Sequence, residues 1–188
     1  EARKLIGNKK LSPIELAKSC IEQIDKVNPS INAVVAIDHD AVMKSAEKSE
    51  DDVMSGNELG MLHGIPVGIK DLNLVKGLRS TSGSKLYENR IPDEDDSVVE
   101  SIRDQGAIIF CKTNTPEFGA GANTKNFVYG ATCNPFDLEK TPAGSSGGSA
   151  AALATNMMPL ASGLLGLLAL ACPPPVLRRS YPPRYSHC

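Results

Sequence analysis

Tryptophan is absent from this 188-residue chain, which holds only four Phe and four Tyr. So few rings exclude a base-stacking platform for single-stranded nucleic acid. Neither sign of charge dominates: 20 basic and 22 acidic residues leave a net charge of −2, too little to draw a polyanion, and no direct nucleic-acid partner is expected. The five cysteines (Cys20, Cys111, Cys133, Cys172 and Cys188) are odd in number and irregularly spaced. Without a CxxC or a Cys/His cluster, neither a zinc site nor a disulfide framework is supported. A reducing, cytoplasmic location is expected. A long apolar run is missing as well. The most apolar stretch, Met157 to Cys172, is broken by Pro159 and Ser162 and falls short of the roughly 20 residues a membrane span needs. No targeting segment is legible, and because the chain opens on Glu1, its natural start is expected upstream.

What is present fits a folded domain: 41% of residues are hydrophobic and 22% charged, which excludes a disordered or fibrous chain. Ser12-Pro13-Ile14-Glu15 reads as a capping box with Pro at the first helical position. Leu16, Cys20, Ile21, Ile24 and Val27 then recur on one helical face, and Asn28-Pro29 is expected to end it. A short strand at Ala33–Ile37, a helix from His39 to Met54 and a β-rich stretch from Ile65 to Val75 follow. Ser97 to Glu100 reads as a second capping box, Gly106 as the glycine ending that helix, and Ala107–Cys111 as a buried strand. The acidic run Glu50-Asp51-Asp52 reads as a solvated face. Helices alternating with short apolar strands predict an α/β fold with a mostly parallel sheet. The Gly-, Asn-, Thr- and Pro-rich segment from Lys112 to Gly148 is where binding loops are expected, and Ser149 to Met157 reads as a helix.

Gly144-Ser145-Ser146-Gly147-Gly148-Ser149 leads straight into that Ala-rich helix. Glycines permit close backbone approach to a ligand, and a helix N-terminus offers free N–H groups. Taken alone, the loop reads as a flexible turn before it reads as a site. It is no P-loop, since no Lys follows the glycines. It does match G-x-S-x-G around Ser146, the pattern of a nucleophile elbow, but Lys140-Thr141-Pro142 is a poor strand and no acidic residue follows Glu139 to complete a triad. Lys70 lies in the β-like run Gly64–Asp71. Beside Asp71 it reads as a solvated ion pair if exposed, or as a base near neutral pH if buried.

From about Ser12 to Gly163 the chain resembles the amidase signature family. The matching pieces are the amino-terminal helix with Asn28-Pro29, His63-Gly64-Ile65-Pro66 through Lys70-Asp71, and Thr81-Ser82-Gly83-Ser84. Lys112-Thr113-Asn114-Thr115-Pro116-Glu117-Phe118, Tyr129-Gly130 to Asn134-Pro135 and the Gly144–Ser149 loop follow in order. The resemblance implies part of an α/β amidase-signature domain, a mixed β-sheet covered by α-helices, over residues 1–163. It implies hydrolysis of a carboxylic amide to acid and ammonia or amine by a Ser–Ser–Lys triad, with no metal and no cofactor. Lys70 then resembles the base and Ser145 the bridging serine, whose peptide bond is cis in the family. Ser146, Gly147 and Gly148 shape the substrate-binding loop. The implied partner is a small-molecule amide, without nucleic acid or membrane, and self-association into a homo-oligomer is left open. His39, His63 and His187 have no assigned role.

The resemblance breaks after Gly163. The family segment reads like T-D-T-G-G-S, and its last serine, the nucleophile, falls on Ala169 here. Residues 164–188 turn Leu-, Pro- and Arg-rich, and are expected to be frame-shifted or disordered, leaving the chain as written inactive and poorly soluble. A truncated protein that acts by binding, and rescue by Ser146 or Ser149, are the other readings. A glutaminase subunit of a tRNA-dependent amidotransferase is the alternative within the family. Such subunits often carry Asn-Glu-Phe where this chain has Asn114-Thr115-Pro116-Glu117-Phe118, which favours a general amidase.

Overall fold

A computed structural model describes residues 1–163 and the backbone of 168–170. The expectation of a frame-shifted or disordered tail therefore falls, apart from that short strand, outside the described residues. The chain opens with a short helix, α1 (Ala2–Gly7), followed by α2 (Pro13–Ile31). Ser12 caps α2, its Oγ accepting from the N–H groups of Ile14 and Glu15 at 3.1 and 3.3 Å, so two of the first turn's free donors are met. Leu16, Ala17, Cys20 and Ile24 form its buried stripe.

Asn28-Pro29 does not end this helix, as the sequence suggested; α2 runs on to Ile31, which is buried, and closes at Asn32 in the left-handed conformation. Proline costs a helix most in its interior, and here only the last turn follows it. Asn28 instead serves the neighbouring strand β1 (Val34–Ala36). Its Nδ2 donates to the Val34 carbonyl at 2.9 Å, and its Oδ1 accepts from the N–H groups of Ala33 and Val34, both at 2.8 Å. β1 is the terminal strand of its sheet, so one side chain occupies an edge that would otherwise offer unpaired backbone to another chain. Asn28→Ala is expected to cost about 1–3 kcal/mol, the penalty of leaving those groups unmet, and to raise concentration-dependent aggregation. Urea unfolding with light scattering checks both.

α3 (His39–Ser55) is held at its start by Asp38 Oδ1, which accepts from Ala41 N–H at 3.0 Å; it packs on α2 and buries Val42, Ala46 and Val53. Strand β2 (Pro66–Lys70) is buried throughout. α4 (Ser97–Asp104) starts one residue earlier than the capping-box reading requires, with Ser97 already inside the helix. Asp96 holds the N-cap position without capping the helix, because its Oδ2 accepts from Leu74 N–H at 2.9 Å and Asn73 Nδ2 at 3.2 Å. Tertiary contacts to the preceding loop have taken the local cap. Gly106, at φ +79°, ends α4 as expected.

β3 (Ile108–Thr113) continues two residues beyond the apolar run, through Lys112 and Thr113. After it come the short strands β4 (Lys125–Asn126) and β5 (Gly130–Ala131), then α5 (Gly147–Ala154), which begins two residues before Ser149, and finally β6 (Leu160–Ser162) and β7 (Leu168–Leu170). The sheet order is β1-β3-β2-β6-β7, with β4 and β5 forming a separate ribbon. Its middle pairings, β3 with β2 and β2 with β6, are parallel, while β1 and β7 join antiparallel. The mostly parallel expectation is thus corrected to a parallel centre with antiparallel edges, a common form of large α/β sheets. α3 and α4 lie against β3, and α5 lies against β2, β3 and β6. Val67, Ile69, Ile108, Phe110, Met157 and Met158 fill the space between.

Candidate active site

Lys70 is the last residue of the central strand β2 and is only 2% exposed. Strand alternation sends Lys70 and Asp71 to opposite sides of the sheet, so the sequence neighbours do not pair. Asp71 turns to Lys112 on β3, with Nζ and Oδ1 3.2 Å apart and both side chains fully buried. Thr81 completes the carboxylate's shell: its N–H lies 3.1 and 3.2 Å from the two oxygens and its Oγ1 donates to Oδ2 at 2.6 Å. Lys112 Nζ also donates to the Asn73 carbonyl and, at 2.9 Å, to Ser80 Oγ. The solvated Lys70–Asp71 pair is therefore not formed.

Among the described residues no carboxylate pairs with Lys70. Its Nζ donates to Ser145 Oγ at 2.7 Å. Burial pushes the Lys70 ammonium below its ordinary pKa of 10.5, because desolvation disfavours the charged form. Between that lowered value and 10.5 the unfolded chain holds the proton and the native chain does not, so this lysine makes stability rise with pH across that window. Replacing it by Met should remove that contribution. We expect the stability difference, wild type minus Lys70→Met, to grow as pH is raised from about 7 to 10, measured by urea midpoints at each pH.

Ser145 sits in the loop that feeds α5, and the Gly144–Ser145 peptide bond is cis. Its carbonyl accepts from Thr115 Oγ1 at 3.2 Å. Gly147 N–H donates to Thr124 Oγ1 at 3.0 Å, and that hydroxyl donates to the Ala143 carbonyl at 2.8 Å. Gly148 lies against the Asn114 backbone so closely that a Cβ there would meet the Asn114 nitrogen at 2.4 Å. The loop is thus clamped between residues 114–124 on one side and the sheet on the other. A cavity of about 320 Å³ opens beside it, bordered by Ser145, Ser146, Gly147, Ser149 and Gly163. Ser146 Oγ is buried and finds no partner among the described residues, and it does not cap α5 although it holds the N-cap position.

The structure brings Lys70, Ser145, Ser146, Gly147 and Gly148 to one place. Ala169 is in β7, backbone-paired in register with Ala161. Ser149, one of the candidate substitute nucleophiles, already donates to the Ser162 carbonyl at 2.7 Å. Sequence reasoning missed the Asp71–Lys112 pair, the hydroxyls of Thr113 and Ser162 beneath the site, and the bonds that commit Ser149 to both. Parity along β2 could have separated Lys70 from Asp71, but partners drawn from β3 and β6 need the sheet register. Among the described residues no cluster of His, Cys, Asp or Glu is arranged to hold a metal, and no helix is long and apolar enough to cross a membrane.

The Amidase family profile matches residues 15–164, and the chain belongs to the amidase family. It is 39% identical over 158 residues to a glutamyl-tRNA(Gln) amidotransferase subunit from Endomicrobium trichonymphae, covering 84% of this chain and 33% of the relative. The corresponding subunit from Carboxydothermus hydrogenoformans is 40% identical over 163 residues, covering 87% of this chain and 34% of its own. Among solved structures, a bacterial aryl acylamidase of the amidase signature family superposes with a TM-score of 0.80 at 33% identity, covering 86% of this chain and 34% of that one. The native peptide amidase of Stenotrophomonas maltophilia gives 0.78 at 30% identity, covering 84% and 34%. The chain spans about a third of the length of the curated relatives it matches.

Proposed function

We propose that this chain carries the base and the bridging serine of an amide hydrolase, Lys70 and Ser145, without a nucleophile of its own. The observation that carries the reading is the buried Lys70 Nζ, 2.7 Å from Ser145 Oγ and paired with no carboxylate among the described residues, because Lys112 has taken Asp71. A neutral Lys70 accepts the Ser145 hydroxyl proton while Ser145 Oγ draws one from an attacking hydroxyl. Attack on the amide carbonyl forms a tetrahedral oxyanion, which backbone N–H groups stabilise. The proton returns through Ser145 to the departing nitrogen, the C–N bond breaks, and water releases the acid by the same relay. Ser146 and Gly147 border the space for a small amide, and Gly148 holds their loop against Asn114. No cofactor is required. The attacking hydroxyl belongs at position 169, where this chain has Ala, so the chain as written turns over no amide.

A second reading is favoured by the sequence relatives, which are named as glutamyl-tRNA(Gln) amidotransferase subunits: a glutaminase that passes ammonia on within a tRNA-bound complex. Ammonia release from glutamine, with and without such a complex, separates it from a general amidase. The test of the main reading has two arms. Incubation with glutamine, a simple arylamide and a peptide amide is expected to release no ammonia or amine above background. Nucleotide sequence across codons 155 to 188 is expected to restore T-D-T-G-G-S in another frame. In the protein read in that frame, Lys70→Ala should lower kcat by about 10²–10⁴-fold, the usual worth of a positioned base. Steady turnover by the chain as written would overturn the missing nucleophile, and full activity in the restored Lys70→Ala protein would overturn the base.

A further inference from the structure

Beneath the Lys70–Ser145 contact, four buried residues are linked into a ring by three hydrogen bonds and one pairing in the sheet register. The β2–β6 ladder is in register at Val67 with Leu160 and Gly68 with Ala161. Farther along, the Lys70 N–H is taken by the Ser162 hydroxyl at 2.7 Å, where a sheet would ordinarily supply a carbonyl. The Ser162 carbonyl instead accepts from Ser149 Oγ at 2.7 Å. A serine has one hydroxyl proton, so the 2.7 Å contact between Thr113 Oγ1 and Ser149 Oγ is donated by Thr113. Thr113 stands opposite Lys70 in the β2–β3 register and its carbonyl accepts from the Asp71 N–H at 2.9 Å, so the ring closes through the sheet next to Lys70 rather than through a Lys70–Thr113 bond. Lys70, Thr113, Ser149 and Ser162 are each no more than 2% exposed.

The ring ties together the two parts that must meet. Lys70 projects from β2, whose end is fastened through its own N–H. Ser145 precedes α5, whose first turn is fastened through Ser149. We infer that Ser162 and Ser149 are positioning residues that set the Lys70–Ser145 distance, Ser162 from the side of the lysine and Ser149 from the side of the serine. The inference rests on the reading of Lys70 as the base. Removing the Ser162 hydroxyl leaves a buried backbone N–H without its acceptor, and the end of β2 is then free to shift toward another partner or water. Removing the Ser149 hydroxyl releases both Thr113 and the Ser162 carbonyl, so α5 loses its side-chain bond to β6.

The test reads the lysine itself. The chain is labelled with ¹³C at the lysine ε-carbons, and the Lys70 resonance, assigned by its loss in Lys70→Met, is titrated with pH. Ser162→Ala and Ser149→Ala are each expected to move the midpoint up by about one pH unit, a tenfold fall in the neutral fraction, as the contact loosens and water reaches the ammonium. Ser162→Thr, which keeps the hydroxyl, should restore the wild-type midpoint. A merely structural ring would lower the melting temperature and leave the midpoint alone. An unmoved midpoint in the folded alanine variants overturns the inference, as does a shift in Ser162→Thr equal to that in Ser162→Ala. Should Ser162→Ala not fold, Ser149→Ala decides between the same results. A wild-type midpoint at the ordinary lysine value would instead overturn the reading of Lys70 as the base.

Discussion

Removing either half of the Asp71–Lys112 pair is expected to cost about 3–5 kcal/mol, while exchanging both halves together restores most of the loss. Both side chains are fully buried, and their charged atoms lie 3.2 Å apart. In Lys112→Met the carboxylate keeps the Thr81 N–H and hydroxyl but loses its counter-charge. In Asp71→Asn the ammonium keeps the Asn73 carbonyl and Ser80 Oγ, neither of which carries a full charge. A lone buried charge is worse than none, since the attraction was what offset its desolvation. The directions on Lys112 agree: burial pushes its pKa down and Asp71 pulls it back up. Without Asp71 the Lys112 pKa is expected to fall further, because burial is then less opposed, so the loss in Asp71→Asn should shrink as pH is raised. The double variant, Asp71→Asn with Lys112→Met, leaves an amide oxygen for Thr81 and an apolar chain of similar length in the lysine's place. Urea midpoints of the four proteins give the coupling energy. Additive single costs would show that the pair is not a unit.

Helices α2 and α3 were legible because their information is local. A capping residue or helix-favouring start and an apolar stripe at helical spacing lie within one segment, and Ser12 acts where the pattern puts it. The failures share one cause, side chains recruited by distant partners. Asn28-Pro29 has the pattern of a helix stop, yet the Asn28 amide is spent on β1. Asp96 holds Leu74 rather than its own helix. At the site, the serine loop and Lys70 were legible through their resemblance to a known family, and the structure sets them 2.7 Å apart. The frame around them was not legible. That Lys112 would take Asp71, or that Ser162 would reach Lys70, depends on the β3-β2-β6 register, which no local pattern encodes.

Gly148→Ala sets two opposing effects against each other, and their sizes decide the outcome. Gly148 is the second residue of α5, where alanine in place of glycine would ordinarily gain up to about 1 kcal/mol. A Cβ at Gly148, however, would lie 2.4 Å from the Asn114 nitrogen and 2.5 Å from its carbonyl oxygen. Those are backbone atoms just past the end of β3, and Asn114 N–H is committed to the Ala33 carbonyl at 2.9 Å. They cannot swing aside, so the helix must move. Overpacking of this kind costs about 1–3 kcal/mol or more, which exceeds the propensity gain, and the variant is expected to be destabilised. Gly147→Ala is the control. Its Cβ would meet Thr124 Oγ1 at 2.3 Å and Thr124 Cβ and Pro142 Cγ at 2.9 Å, all side-chain atoms. The hydroxyl can rotate away at the loss of two hydrogen bonds, and the other two contacts are relieved by a shift of loops rather than of sheet backbone. The smaller loss is therefore expected there. Moving α5 away from Asn114 also carries Ser145 with it, so Gly148→Ala should raise the Lys70 titration midpoint more than Gly147→Ala does. Equal stability of the two variants would mean that α5 and β3 are not in the close contact that keeps the serine loop over the lysine.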